Sequence, residues 1–151
     1  MIVVRLATEA DLPAMSEVLI ASITELCALD HGDDPVAIAA WTANKTVDGV
    51  RTMRLRPGST LLVAVDGKAM LAVGCIADGN RIGLNYVAPA YRFRGASATL
   101  LADMERRIRS AGYPEARLES TRTAREFYLA RGWEEIDPSG EQPGYPMRKT
   151  L

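Results

Sequence analysis

The chain is poor in residues that staple, chelate or stack: its 151 residues hold two cysteines, one histidine and 6% aromatics. Cys27 and Cys75 lie far apart without metal-ligand spacing. A disulfide framework or zinc knuckle is therefore not expected, no metal site is expected, and a reducing cytoplasm fits. An excess of charge is missing too, since 18 basic against 19 acidic side chains leave a formal charge of -1. No net field then draws in nucleic acid or an anionic membrane, and an anionic ligand must be held by local charge. Long hydrophobic runs are absent. Ala69 to Ala77 is the most apolar stretch, well short of the roughly 20 residues that span a bilayer. Met1 to Leu6, a β-branched run with Arg5 inside it, lacks the pattern of a signal peptide. These absences describe a soluble cytoplasmic protein with neither nucleic acid nor membrane as partner.

What is present is a 48% hydrophobic chain, long enough for one core, so residues 1–151 read as a single domain. Short apolar runs alternate with amphipathic stretches, the pattern of a mixed α/β (α+β) layered fold. Ile2 to Leu6 is a strand. Asp11 is placed to cap a helix with Pro13 in its first turn, and Met15, Val18, Leu19, Ile23, Leu26 and Cys27 share one face of it. Asp30 to Pro35 is turn chemistry, with Asp34 and Pro35 opening a second helix through about Lys45 and a third following Asp48. Ser59 to Val65, Lys68 to Ala77 and Arg81 to Val87 form an antiparallel meander turned at Asp66-Gly67 and Asp78-Gly79. Ser97 to Ala111 is an amphipathic helix stopped by Gly112. Ala116 to Glu119 is a strand, Thr121 to Ala130 a helix ended by Gly132, and Trp133 to Ile136 with Tyr145 to Leu151 are closing strands around a loop from Asp137 to Gly144.

The most informative segment runs from Val87 to Leu101: a strand stopped by Pro89, a basic turn, then a helix. Unpaired N–H groups at a helix start, together with the macrodipole, suit an anion. Gly95, Ala96 and Ser97 let a pyrophosphate approach the backbone, and Arg92 and Arg94 flank it. Taken alone, the same residues also read as an eased strand-to-helix turn with solvated arginines.

Arg92-Phe93-Arg94-Gly95-Ala96-Ser97 resembles the R/Q-x-x-G-x-G/A turn of the GCN5-related N-acetyltransferases (GNAT), with Ser97 at its last position. Ala124-x-x-Phe127-Tyr128-x-x-x-Gly132-Trp133 is similar to the same family's A-x-x-F-Y-x-x-x-G-F/W block. The asparagine that the family carries three residues ahead of that block is Thr121 here. The resemblance implies a central, mostly antiparallel sheet of six or seven strands flanked by helices. It implies acetyl-CoA as co-substrate, with acetyl transfer to a primary amine of a small molecule or peptide, and homodimers are frequent in the family. It also implies that the strand at Arg81 to Val87 splays from the strand at Ala116 to Glu119, the pantetheine arm lying along the backbone of Asn85, Tyr86 and Val87.

A neutral amine has to attack the thioester, and deprotonating an alkylammonium of pKa about 10.4 at pH 7 costs on the order of 4 to 5 kcal/mol. A base or water relay is therefore expected. The glutamate often found on the family's central strands has no counterpart at Asn85 or Tyr86, which leaves Glu119 and His31 as alternatives. Imidazole has an ordinary pKa of about 6.5, suited to neutral pH. Tyr128 resembles the family's general acid for the departing thiolate. The first helical arm, with Ser22, Leu26, Cys27 and Trp41, corresponds to the acceptor side. Asp30, Asp33 and Asp34 can attract a cation there or simply solvate and cap the loop. A CoA-binding module without catalysis is the rival reading.

Overall fold

The computed structural model describes residues 1–137 and 144–151. β1 (Val3–Leu6) leads through a 3-10 turn at Glu9–Asp11 into α1 (Leu12–Leu26), followed by α2 (Ala28–His31), α3 (Pro35–Thr42) and α4 (Val47–Leu55). The meander is β2 (Thr60–Asp66), β3 (Ala69–Ala77) and β4 (Arg81–Val87). After it come α5 (Ala96–Ser110), β5 (Glu115–Ser120), α6 (Arg125–Leu129), β6 (Glu134–Glu135) and β7 (Tyr145–Thr150). The strands form one seven-stranded sheet in the order β1-β2-β3-β4-β5-β7-β6, antiparallel except between β4 and β5.

Both faces of the sheet are covered, which is why β2 and β3 read as continuous apolar runs rather than alternating ones. Leu62 and Ala64 face a core with Leu100, Leu101, Met104 and Ile108 of α5. Leu61 and Val63, one step out of phase, face Leu12, Met15 and Leu19 of α1 and Val50 of α4. Gly74 on β3 is small because α5 lies directly over it: a methyl there would meet Leu100 and Met104 at 3.0 Å.

Three boundaries differ from the sequence reading. Asp30-His31, read as turn, belongs to the helical turn α2, which Gly32 ends at φ 60° with its N–H donating to Ala28 O. Asp11 does not cap α1 through its side chain. Its carboxylate instead accepts from the Thr8 N–H at 2.7 Å and from Arg5 Nη1 at 2.7 Å, because a preceding 3-10 turn captures it first. The helix expected from Thr121 starts at Arg125, with residues 122–124 in a turn before it, and Thr121 Oγ1 accepts from the Ala124 N–H at 3.1 Å. Asp34 caps α3 as expected, accepting from the Val36 N–H at 3.1 Å. The connector read as a loop from Asp137 to Gly144 lies, between those end residues, outside the described residues.

Candidate active site

β4 and β5 are paired only at Arg81 with Arg117 and Ile82 with Leu118. Beyond that point Leu84 to Val87 stay with β3, while Glu119 and Ser120 stay with β7. The strands therefore diverge, and the backbone of β4 from Leu84 onward has no strand on its β5 side. The cause is a bulge: Ile82 stands opposite Ile76 and Leu84 opposite Cys75, so Gly83 has no opposite number on β3. A cleft of about 370 Å3 fills the gap. Ser22, Leu26, Cys27 and Tyr86 border it on the α1 side, Glu119 and Ser120 on β5, and Phe127 and Tyr128 on α6.

At one end of the cleft the chain turns from β4 into α5. Pro89–Tyr91 make a 3-10 turn, Phe93 has a φ of 64°, and Gly95, with φ 79°, precedes the first residue of α5. No side chain caps this helix, so its leading N–H groups have no side-chain acceptor. Arg92, Phe93 and Ser97 border the cleft. The Arg92 guanidinium lies 4.6 Å from the Phe93 ring centre. Arg94 is committed elsewhere: its Nη2 donates to Asp66 Oδ2 at 3.0 Å, and Asp66 also holds the N-terminal amine at 3.0 Å. Of the two arginines expected to flank an anion, Arg92 is thus the one at the cleft. Ala96 is buried under the turn.

Tyr128 is almost wholly buried, with edge contacts to Phe127 at 5.1 Å and Trp133 at 5.8 Å. Desolvation pushes its phenol up to about 12, against a hydrogen bond from the Asn85 side chain that pulls it down. Asn85 Oδ1 is buried without a hydrogen-bond partner. The phenol of Tyr86 is raised by burial and eased by a hydrogen bond with Trp41. Cys27, in the cleft wall, is raised to about 11 by burial and by the nearby Asp30.

His31, one of the two alternatives for the base, lies in α2. It is buried, with Nε2 2.7 Å from Ile23 O and Nδ1 3.0 Å from the Asp33 amide nitrogen. A carbonyl only accepts and an amide N–H only donates, so the partners select the neutral Nε2–H tautomer and occupy its lone pair. With Trp41 edge-on at 6.1 Å, this imidazole fastens α2 to α1. Its two nitrogens are engaged within the fold, which speaks against a role as base. Asp30 is likewise engaged: its carboxylate accepts from the N–H of Arg122 at 2.7 Å and of Thr123 at 3.1 Å and from the Thr123 hydroxyl at 2.6 Å. It ties the first helical arm to the turn before α6. Glu119 is exposed and borders the cleft.

The sequence reading took Asn85 for its backbone alone and left out Ser120 as a cleft residue. Alternation along β5 carried the second signal, since Ala116, Leu118 and Ser120 are its buried positions. The bulge that re-aims Asn85 left only a glycine as its trace.

Compared with family profiles, residues 15–151 match the acetyltransferase (GNAT) domain. The chain belongs to the GNAT acetyltransferase family. This places it among the acyltransferases, and the seven-stranded sheet is the fold the sequence resemblance implied. The N-acetyltransferase Eis of Mycobacterium bovis is 30% identical over 127 residues, 76% of this chain and 28% of that protein. The chain thus spans little more than a quarter of that relative's length. In fold, the PaiA N-acetyltransferase of Thermoplasma acidophilum, solved with coenzyme A, has a TM-score of 0.84 at 19% identity, covering 100% of this chain and 99% of that one. A GCN5-related N-acetyltransferase from Rhodopseudomonas palustris has a TM-score of 0.83 at 22% identity, covering 99% and 95%. Among the described residues no helix is long and apolar enough to cross a membrane.

Proposed function

We propose that this GNAT chain transfers the acetyl group of acetyl-CoA to a primary amine of a small molecule or peptide by direct attack. The observation that carries the reading is the cleft opened where β4 leaves β5, with an uncapped helix start at one end and the buried Tyr128 in its wall. These residues fit an acyl-CoA. The leading N–H groups of α5, Gly95 and Ser97 among the turn residues, and Arg92 would hold the diphosphate. The unpaired β4 edge at Asn85, Tyr86 and Val87 would take the amide groups of the arm as a strand takes a neighbour. Thr121 serves the fold by capping the turn before α6, and its side chain also borders the cleft. Bound acetyl-CoA supplies the activated acyl group.

Tyr128 donates a hydrogen bond to the departing sulfur. In water a phenol is a weaker acid than a thiol by about 1.5 units. Burial here raises both kinds of group, the Cys27 thiol in the same wall to about 11 and the Tyr128 phenol to about 12. Burial of the departing thiolate favours its protonation, and a hydrogen bond in the transition state stabilises the leaving group without full proton transfer. Glu119 is the carboxylate at the cleft suited to take the amine's proton, directly or through water.

The test is thiol release from acetyl-CoA across small amines, amino acids, aminoglycosides and peptide N-termini. Tyr128→Phe should lower turnover at least about tenfold with coenzyme A affinity nearly unchanged. Unchanged turnover would remove Tyr128 from the chemistry. Binding of acetyl-CoA with no transfer to any acceptor would instead favour a sensor or regulatory module.

A further inference from the structure

We propose that Asn85 is a positioning residue for Tyr128: its amide nitrogen donates to the phenol oxygen, turning the phenol's own proton toward the cleft, while its amide oxygen takes an N–H brought in with substrate. The inference rests on the acetyl-transfer reading of the same cleft.

The geometry begins at the bulge. Ile82 packs into the core under α5 and α6. In an unbroken strand Leu84 and Tyr86 would share its face. They pack instead against the opposite core, that of α1 and α4. The extra residue, Gly83, has reversed the parity, so that Val87 lies against the α5 core together with Tyr128. Asn85 falls on that same face, beside the Tyr128 hydroxyl, and both side chains border the cleft. Without the bulge the amide would point into the α1 side and Tyr128 would have no polar neighbour from β4.

The amide has two ends, and its oxygen is the one left over. Oδ1 is buried with no partner. A buried carbonyl oxygen left without a donor is costly, an uncommon burden unless a ligand relieves it. With the amide nitrogen donating to the phenol, the phenol oxygen acts as acceptor, and its proton is left for a partner in the cleft. The hydrogen bond also favours the phenolate, the state toward which Tyr128 moves as it donates to sulfur. The electron pair of the breaking C–S bond stays on sulfur, the phenol proton moves toward it, and the proton released by the newly acylated nitrogen restores the phenol.

Two kinds of experiment test this. The first needs no activity: in 15N-labelled protein, Tyr128→Phe removes one hydroxyl and should move the side-chain amide resonances of Asn85 while leaving those of Asn44 and Asn80 in place. Unmoved Asn85 resonances would overturn the proposal. The second is kinetic. Asn85→Leu should lower kcat about tenfold in the native background and have no further effect in the Tyr128→Phe background. A raised acceptor KM would assign the N–H donor to the acceptor amine, and a weakened coenzyme A affinity would assign it to the pantetheine arm. Equal losses in both backgrounds would contradict a role through Tyr128. Asn85→Asp keeps the shape but exchanges the donor for a carboxylate, and should be as impaired as Asn85→Leu; retained activity would overturn the donor role. If no acceptor supports transfer, the acetyl-transfer reading fails on its own while the resonance measurement still decides the Asn85 contact.

Discussion

His31→Ala leaves the Ile23 carbonyl and the Asp33 N–H, both now bonded to the imidazole, without their partners. The loss should be about 2 to 3 kcal/mol of stability, read by urea denaturation. Because the ring serves the fold, the pH profile of kcat/KM in the surviving enzyme should keep its shape; loss of a titration step would restore His31 to the chemistry. At this scale the sequence identified residue types well and their partners poorly. Tyr128, Arg92 and Ser97 were legible because two motifs fixed their place. His31 read as a candidate base, and Asp30 as a cation attractor or loop solvation, because their partners, Ile23 O and the N–H groups of Arg122 and Thr123, are backbone groups that carry no sequence signature.

Elements were legible wherever periodicity or a turn residue marked them, as in the β2-β3-β4 meander and α5. The arm from α2 to α4 was harder, since its helices are short: none of the residues of α3 is buried, despite its apolar sequence. The joint between α3 and α4 depends on Gly49, whose added methyl would overlap the Asn44 carbonyl oxygen. The obstacle is backbone and cannot rotate away. Gly49→Ala should therefore destabilise the protein by about 3 kcal/mol, at the upper end of overpacking, measured as a fall in the denaturation midpoint. A neutral result would mean that the joint yields freely. The divergence of β4 from β5 was implied by the family resemblance; its physical cause, the bulge at Gly83, was invisible because a glycine in a strand can mark a bulge, a bend or nothing.

Over the whole molecule, balanced charge means that electrostatic stability comes from local pairs. Arg5 with Asp11 is the clearest. The hydrogen bond from Arg5, aided by those from Thr8, holds the Asp11 carboxyl at about 2. Its folded pKa is depressed, so the unfolded chain binds the extra proton: the contribution is present above the unfolded value of about 3.9 and is lost as pH falls through about 2. Asp11→Asn should lower stability at neutral pH and flatten its decline from about pH 4 to about pH 2, relative to the native chain. A decline of unchanged steepness would assign acid sensitivity to other carboxylates. The account as a whole depends on an anion being held at the start of α5, above the gap where two strands part. Backbone amide spectra of 15N-labelled protein titrated with coenzyme A test this most directly. The account predicts that the amides of Gly95, Ala96 and Ser97 move furthest, together with those of Asn85 to Val87 along the open edge of β4. Binding that left those amides in place while shifting others would contradict it.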